Sequence, residues 1–123
     1  MAKKILIVDD DPQILDLLTK MLSNNNYQTE VASDGFEAGL KVVEFKPSLI
    51  ILDLIMPGMD GFEVCRKIKE GPDTSYIKIL AITGYDTKEN REKIMNAGAD
   101  GYLAKPVEKD VLLRHVEDLL IEY

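Results

Sequence analysis

The chain reads as a doubly wound α/β protein, a five-stranded parallel sheet with helices on both faces, three layers deep. Three observations predict it. Apolar runs at residues 5–8, 49–52 and 77–82 are mostly β-branched or aliphatic, as suits strands buried on both faces. Segments with helical spacing separate these runs. The connections are short, so the crossovers must be right-handed and the strands parallel.

The elements follow in order. Ile5-Leu6-Ile7-Val8 is the first strand and stops at Asp9-Asp10. Asp11-Pro12 then opens a helix, with an aspartate able to cap and a proline where no N–H is needed. Ile14, Leu17, Leu18, Met21 and Leu22 line one face of that helix. Asn24-Asn25-Asn26 ends it, asparagine being a poor helix former that accepts turn conformations. Residues 27–32, with Tyr27, Thr29 and Val31 alternating, read as an edge strand.

Three more helix starts share one device. In Asp34-Gly35-Phe36-Glu37, Asp60-Gly61-Phe62-Glu63 and Asp86-Thr87-Lys88-Glu89 a capping acid precedes a glutamate by three residues. The flanks of the two Asp-Gly-Phe-Glu motifs do not match, so they are one local solution used twice rather than a repeat. The helices are expected over about 35–45, 60–70, 87–97 and 107–121. Pro47, Gly71-Pro72 and Ala97-Gly98 stand between helix and next strand, as stops should. A fourth short run, Gly101-Tyr102-Leu103-Ala104, leads into Lys105-Pro106. The pattern is five strands alternating with five helices.

At 123 residues the chain is expected to form one domain, 1–123, and any further domain would follow Tyr123. A net charge of −7 argues against direct binding to nucleic acid, whose backbone selects basic surfaces. No apolar stretch approaches the roughly 20 residues of a membrane span. Met1-Ala2-Lys3-Lys4 shows no signal-peptide pattern, so a cytoplasmic location is expected. The single cysteine, Cys65, shares a helical phase with Phe62 and Ile68 and reads as a buried apolar residue. His115, among charged neighbours with no second histidine, reads as a surface residue.

The chemistry gathers at strand ends. In parallel sheets of this class ligands sit beyond the carboxyl ends of the strands. Asp9, Asp10 and Asp53 all lie there. Two carboxylates about 5 Å apart repel by roughly 3 kcal/mol at an effective dielectric of 20, so such a cluster needs a counter-charge. Oxygen ligands without His or Cys favour a hard cation, Mg²⁺ first and Mn²⁺ as a substitute. Helix capping explains Asp11 but not Asp53, since no helix starts until after Pro57. Thr83 ends the 77–82 run and Lys105 follows the last one; a hydroxyl and an ammonium complete a site for a tetrahedral anion. The combination points to phosphoryl transfer with Asp53 as nucleophile.

Four motifs in this order resemble those of the response-regulator receiver domains of two-component signalling, chemotaxis receivers included. They are residues 5–11 ending in Asp9-Asp10-Asp11, residues 52–61 from Leu52-Asp53 through Met56-Pro57-Gly58 to Asp60-Gly61, Ile82-Thr83-Gly84, and residues 98–106 ending in Ala104-Lys105-Pro106. The resemblance covers the whole chain. It implies a flavodoxin-like (βα)5 fold with sheet order 2-1-3-4-5 and a phosphorylation-dependent switch rather than an enzyme acting on a substrate of its own.

The resemblance also implies roles. Asp53 corresponds to the phosphoacceptor. Asp10 and Asp53 would hold Mg²⁺ directly, Asp9 mainly through water, and the backbone carbonyl of Ile55 would be a further ligand. Thr83 corresponds to the hydroxyl that bonds the phosphoryl group, Lys105 to the lysine that pairs with it, and Lys105-Pro106 is usually cis. Tyr102 is the implied readout, swinging inward with Thr83 and altering the surface of the fourth helix, fifth strand and fifth helix. A sensor histidine kinase or phosphotransfer protein would be the donor, docking near the first helix and the loop after the fifth strand. An output domain or downstream protein would receive the signal, and the face from fourth to fifth helix is a candidate homodimer surface. Ile55 and Tyr85, two residues beyond Asp53 and Thr83, offer no group to orient an attacking water, so slow autodephosphorylation is expected.

The residues disfavour two alternative activities, and with every motif residue present they do not support a receiver-like scaffold that has lost phosphorylation. An aspartyl-nucleophile phosphatase would want a second aspartate two positions after Asp53, where Ile55 stands. A flavin- or nucleotide-binding module would want a Gly-rich loop after the first strand, where Asp9-Asp10-Asp11 would repel a phosphate.

Overall fold

Strand β1 (Lys3–Val8) is followed by helix α1 (Pro12–Leu22), β2 (Tyr27–Ala32), α2 (Gly35–Glu44), β3 (Leu49–Asp53), α3 (Gly61–Glu70), β4 (Lys78–Thr83), α4 (Lys88–Asn96), β5 (Gly101–Ala104) and α5 (Lys109–Leu119). This computed structural model describes residues 2–23 and 25–121. The strands form one parallel sheet in the order β2-β1-β3-β4-β5, so the alternation expected from the sequence holds. Asn24, Met1 and Tyr123, on which sequence readings also fell, lie outside the described residues.

Strand pleating sorts the core into two clusters. Ile5, Ile7, Leu49, Ile51, Leu80 and Ile82 pack with Leu15, Leu18 and Leu22 of α1 and Leu112 and Val116 of α5. The alternate residues Leu6, Val8, Ile50, Leu52, Ile79 and Ala81 pack on the other side with Ala38, Phe62, Cys65 and Ile94 from α2, α3 and α4. This two-residue alternation explains why the sequence runs are apolar without interruption: both faces are covered. Each fully buried Leu or Ile contributes about 1.5–3 kcal/mol, so these strands are where the fold is held.

Local chemistry sets the helix ends. Asp11 Oδ1 accepts from Gln13 N at 2.9 Å, and Pro12 occupies the first turn of α1. Asp34 and Asp60 cap α2 and α3 as their motifs predict. At α4 the expectation is corrected: Thr87, not Asp86, is the cap, its Oγ1 accepting from Asn90 N at 3.0 Å. Asp86 is engaged elsewhere. Helix α5 starts at Lys109, two residues later than expected, with Glu108 capping through backbone geometry alone.

One element is absent from the sequence reading. Ile55–Met56 and Met59–Asp60 pair antiparallel as a tiny hairpin across Pro57-Gly58. Gly58 takes φ +72 there, a conformation that costs glycine nothing. At the opposite end of the sheet Lys69 Nζ reaches Asp100 Oδ2 at 3.1 Å and the carbonyls of Ser75 and Ile77, while Asp100 Oδ2 also accepts from Ile79 N at 2.9 Å. That network joins α3, β4 and the turn after α4. Helix α4 itself buries only Ile94.

Candidate functional site

The sheet register builds the site. Val8 pairs with Leu52, so one step further Asp9 comes beside Asp53 at the carboxyl ends of β1 and β3. On the other flank Asp53 pairs with Ile82, which places Thr83 one step beyond it. Lys105 follows Ala104, the partner of Thr83, and its backbone N donates to Thr83 O at 2.8 Å. Four separate segments thus deliver one side chain each to the same edge.

Asp9, Asp10 and Asp53 converge, with one carboxylate oxygen of each within 4.8 Å of the other two. Asp9 and Asp53 are 1% and 2% exposed, whereas Asp10 faces solvent. Lys105 Nζ lies 3.0 Å from Asp9 Oδ2 and 3.6 Å from Asp53 Oδ2. Each Asp9 oxygen thereby has a partner, because its Oδ1 accepts from Asp11 N at 3.0 Å. Of the two buried acids Asp53 is the less satisfied, with a long 3.4 Å contact from Ile55 N as its other partner.

The electrostatics follow from this packing. Burial, reinforced by the charges of Asp9 and Asp10, pushes the Asp53 carboxyl up to about 6 against the opposing pull of Lys105 and the Ile55 N–H. Burial alone would lower Lys105, but its hydrogen bond to Asp9 and the charges of Asp53 and Asp9 outweigh it, so its pKa is raised and it stays a cation. Three acids facing one ammonium leave a net negative, all-oxygen pocket. Such a donor set fits a small hard cation such as Mg²⁺, with Asp10 and Asp53 the acids still free to ligate.

Thr83 is fully buried, and its Oγ1 accepts from Tyr85 N at 3.0 Å. The Lys105–Pro106 bond is cis. The side chains of Ile55 and Tyr85 stand at the surface, 47% and 65% exposed. Tyr102 lies on β5, half-buried, with its hydroxyl donating to Asp86 Oδ1 at 3.0 Å. Asp86 in turn holds Arg91 Nε at 3.2 Å. This last pair was missed by sequence reasoning, which assigned Asp86 to capping; the adjacent Thr87, three residues before Asn90, was the available signal. Cys65 is buried, and burial with the nearby Asp100 charge pushes its thiol up to about 11, as expected of an inert core residue.

Comparison with known proteins decides the family. The model of the response regulator receiver domain matches residues 5–117. This chain belongs to the response regulator receiver domain family. It is 39% identical over 120 residues to the response regulator MprA of Mycobacterium bovis, covering 98% of this receiver and 51% of that protein. It is 38% identical over 119 residues to the response regulator PleD of Caulobacter vibrioides, covering 97% of the receiver and 26% of that protein. The receiver therefore spans about half the length of MprA and a quarter of PleD. Among solved structures, the signal receiver domain of a DNA-binding response regulator from Colwellia psychrerythraea superposes with a TM-score of 0.91 at 36% identity, over 96% of this chain and 98% of that one. The flavodoxin-like order expected from the motifs is the order observed. A receiver is a signalling domain of two-component systems, working between histidine kinases or phosphotransfer proteins and output domains. No described helix is long and apolar enough to cross a membrane.

Proposed function

We propose that residues 1–123 act as one receiver unit that takes a phosphoryl group onto Asp53 from a phosphohistidine of a sensor kinase or phosphotransfer protein. The observation that carries this reading is the convergence of three strand-end carboxylates within 4.8 Å of one another, two of them in contact with the Lys105 ammonium. Asp10, Asp53 and the Ile55 carbonyl would hold Mg²⁺, with Asp9 acting through water. When bound, the cation neutralises the charge that the acids and the incoming phosphoryl oxygens would otherwise pile together.

The chain's own residues do the rest. Asp53, ionised above about pH 6, presents an oxygen to phosphorus. A P–O bond forms as the donor's P–N bond breaks, and the bonding pair leaves on the imidazole nitrogen. Lys105 is held between Asp9 and Asp53, within reach of a new phosphoryl oxygen. Thr83 keeps its hydroxyl proton free to donate, since the oxygen is engaged only as an acceptor.

Phosphorylation would then bias a two-state equilibrium in which Tyr102 turns inward and the α4–β5–α5 surface changes. That surface would serve an output domain, a downstream protein or a second receiver. The kinase would dock near α1 and the loop after β5, in the cytoplasm. Position 55 holds Ile rather than the second acid of a phosphatase, which supports a switch over a turnover enzyme.

The test is intact-mass measurement after incubation with Mg²⁺ and acetyl phosphate. One added phosphoryl group is expected, absent in Asp53→Asn and absent with chelator. Incorporation that survives Asp53→Asn would move the acceptor to another residue.

A further inference from the structure

We infer that Asp86 is a positioning residue of the switch: it holds Tyr102 in the outward state, with Arg91 fixing its carboxylate, and its removal frees the tyrosine without phosphorylation. The inference rests on the phosphorylation reading above for its biological meaning, but its physical content belongs to the unphosphorylated chain.

The geometry is a closed set of contacts. Tyr102 Oη donates to Asp86 Oδ1 at 3.0 Å, and the same oxygen takes Arg91 Nε at 3.2 Å. One carboxylate oxygen therefore ties β5 to the loop before α4 and to the helix itself. The aspartate has no capping duty, because Thr87 Oγ1 fills that role. It also stands next to the residue that reports on the site. Tyr85 N donates to Thr83 Oγ1, and Tyr85 O accepts from Asn90 Nδ2 at 3.0 Å. A shift of Thr83 therefore displaces the backbone that carries Asp86. The contacts are charge-assisted yet largely exposed, so they are strong enough to bias the ring and weak enough to be exchanged.

The tyrosine shows the effect of its partner. Burial first, then the hydrogen bond and charge of Asp86, push the Tyr102 phenol up to about 12, with Arg91 opposing. An inward ring would leave Asp86 behind. The hydrogen bond therefore favours only the outward state, which is what a differential contact must do to set a population.

The test compares the wild-type chain with Asp86→Ala, Arg91→Ala and Tyr102→Phe, each labelled with ¹³C-tyrosine. Tyr102 is assigned by its absence in Tyr102→Phe and followed by NMR without phosphodonor. In Asp86→Ala its ring resonance is expected to move most of the way toward its position in wild type with Mg²⁺ and beryllofluoride, and its phenol to titrate lower. Arg91→Ala is expected to shift part of the way, and serves if Asp86→Ala does not fold. A Tyr102 resonance unchanged from wild type in the folded variants overturns the inference. Failure of the phosphorylation reading looks different: wild type with Mg²⁺ and beryllofluoride would itself leave Tyr102 unmoved, while the variants still shift the phenol titration.

Discussion

Lys105 sits closer to Asp9 than to Asp53, 3.0 Å against 3.6 Å, so its ammonium is bonded to the acid other than the proposed phosphoacceptor. Asp9 thereby works as a rest for the lysine. Asp53 is left with a looser partner and a raised affinity for protons.

The first prediction concerns that lysine. Lys105→Ala leaves Asp9 and Asp53 buried without a counter-charge, and metal-free stability should fall by about 2–4 kcal/mol. Saturating Mg²⁺ should recover most of the loss, because the acids would still hold the proposed cation. Urea denaturation with and without Mg²⁺ measures both. A metal-free midpoint equal to wild type would contradict the ion pairing.

The second concerns pH. Asp53 sits at about 6 in the fold and near 3.9 in an unfolded chain, so the folded state binds the proton more tightly. Stability contributed by this group therefore rises as pH falls from 7 through 6, and is fully present below about pH 4. The expected gain is about 2–3 kcal/mol without metal. Asp53→Asn should hold that stability across the window, and Mg²⁺ affinity should weaken as pH drops through 6. Thermal melts from pH 4 to 7 decide it; a wild-type profile parallel to that of Asp53→Asn would remove the claim.

A third prediction comes from Gly61. A Cβ there would lie 2.7 Å from Leu54 Cα and 2.8 Å from Leu54 O, both backbone atoms that no rotamer change can move away. Gly61→Ala should cost about 3 kcal/mol and displace the turn from Asp53 to Ile55. Mg²⁺ affinity should drop together with stability. Calorimetric titration that finds unchanged binding would show the turn to be independent of this contact.

The fourth concerns lifetime. Ile55 and Tyr85 place an aliphatic and an aromatic side chain at the surface beside the Asp53 turn and the Thr83 loop. The double replacement Ile55→Asn with Tyr85→Glu supplies groups that can orient water. Decay of the phosphorylated form should quicken roughly tenfold, which is ~1.4 kcal/mol off the barrier. Equal decay rates in the two proteins would exclude these positions as the cause.

Much of this arrangement was legible from residues alone. The strands were readable because both faces are covered, which leaves runs such as Leu49-Ile50-Ile51-Leu52 unbroken. Asp9, Asp53, Thr83 and Lys105 were readable because each ends such a run, and parallel register brings strand ends together. The hairpin at Ile55–Met56 and Met59–Asp60 was not, since two-residue strands carry no periodicity, although Pro57-Gly58 marked the turn. Asp86 was misread because two adjacent residues could cap α4, and only tertiary packing shows that Tyr102 and Arg91 claim the acid. The helix α5 start was placed early because nothing in Pro106-Val107-Glu108 signals where extended chain gives way to helix.

The Lys69–Asp100 network gives α4 a fulcrum. Its lower end is fixed where Ala99 N meets Ile94 O and Asp100 is locked to β4, while its upper end is held by side chains at the surface. A helix of nine residues is about 14 Å long, so a tilt of about 10° about that fulcrum carries the upper end some 2 Å. Any movement of α4 would therefore be a pivot about its anchored end, and a partner seated on that helix would meet a changed slope rather than a lifted surface.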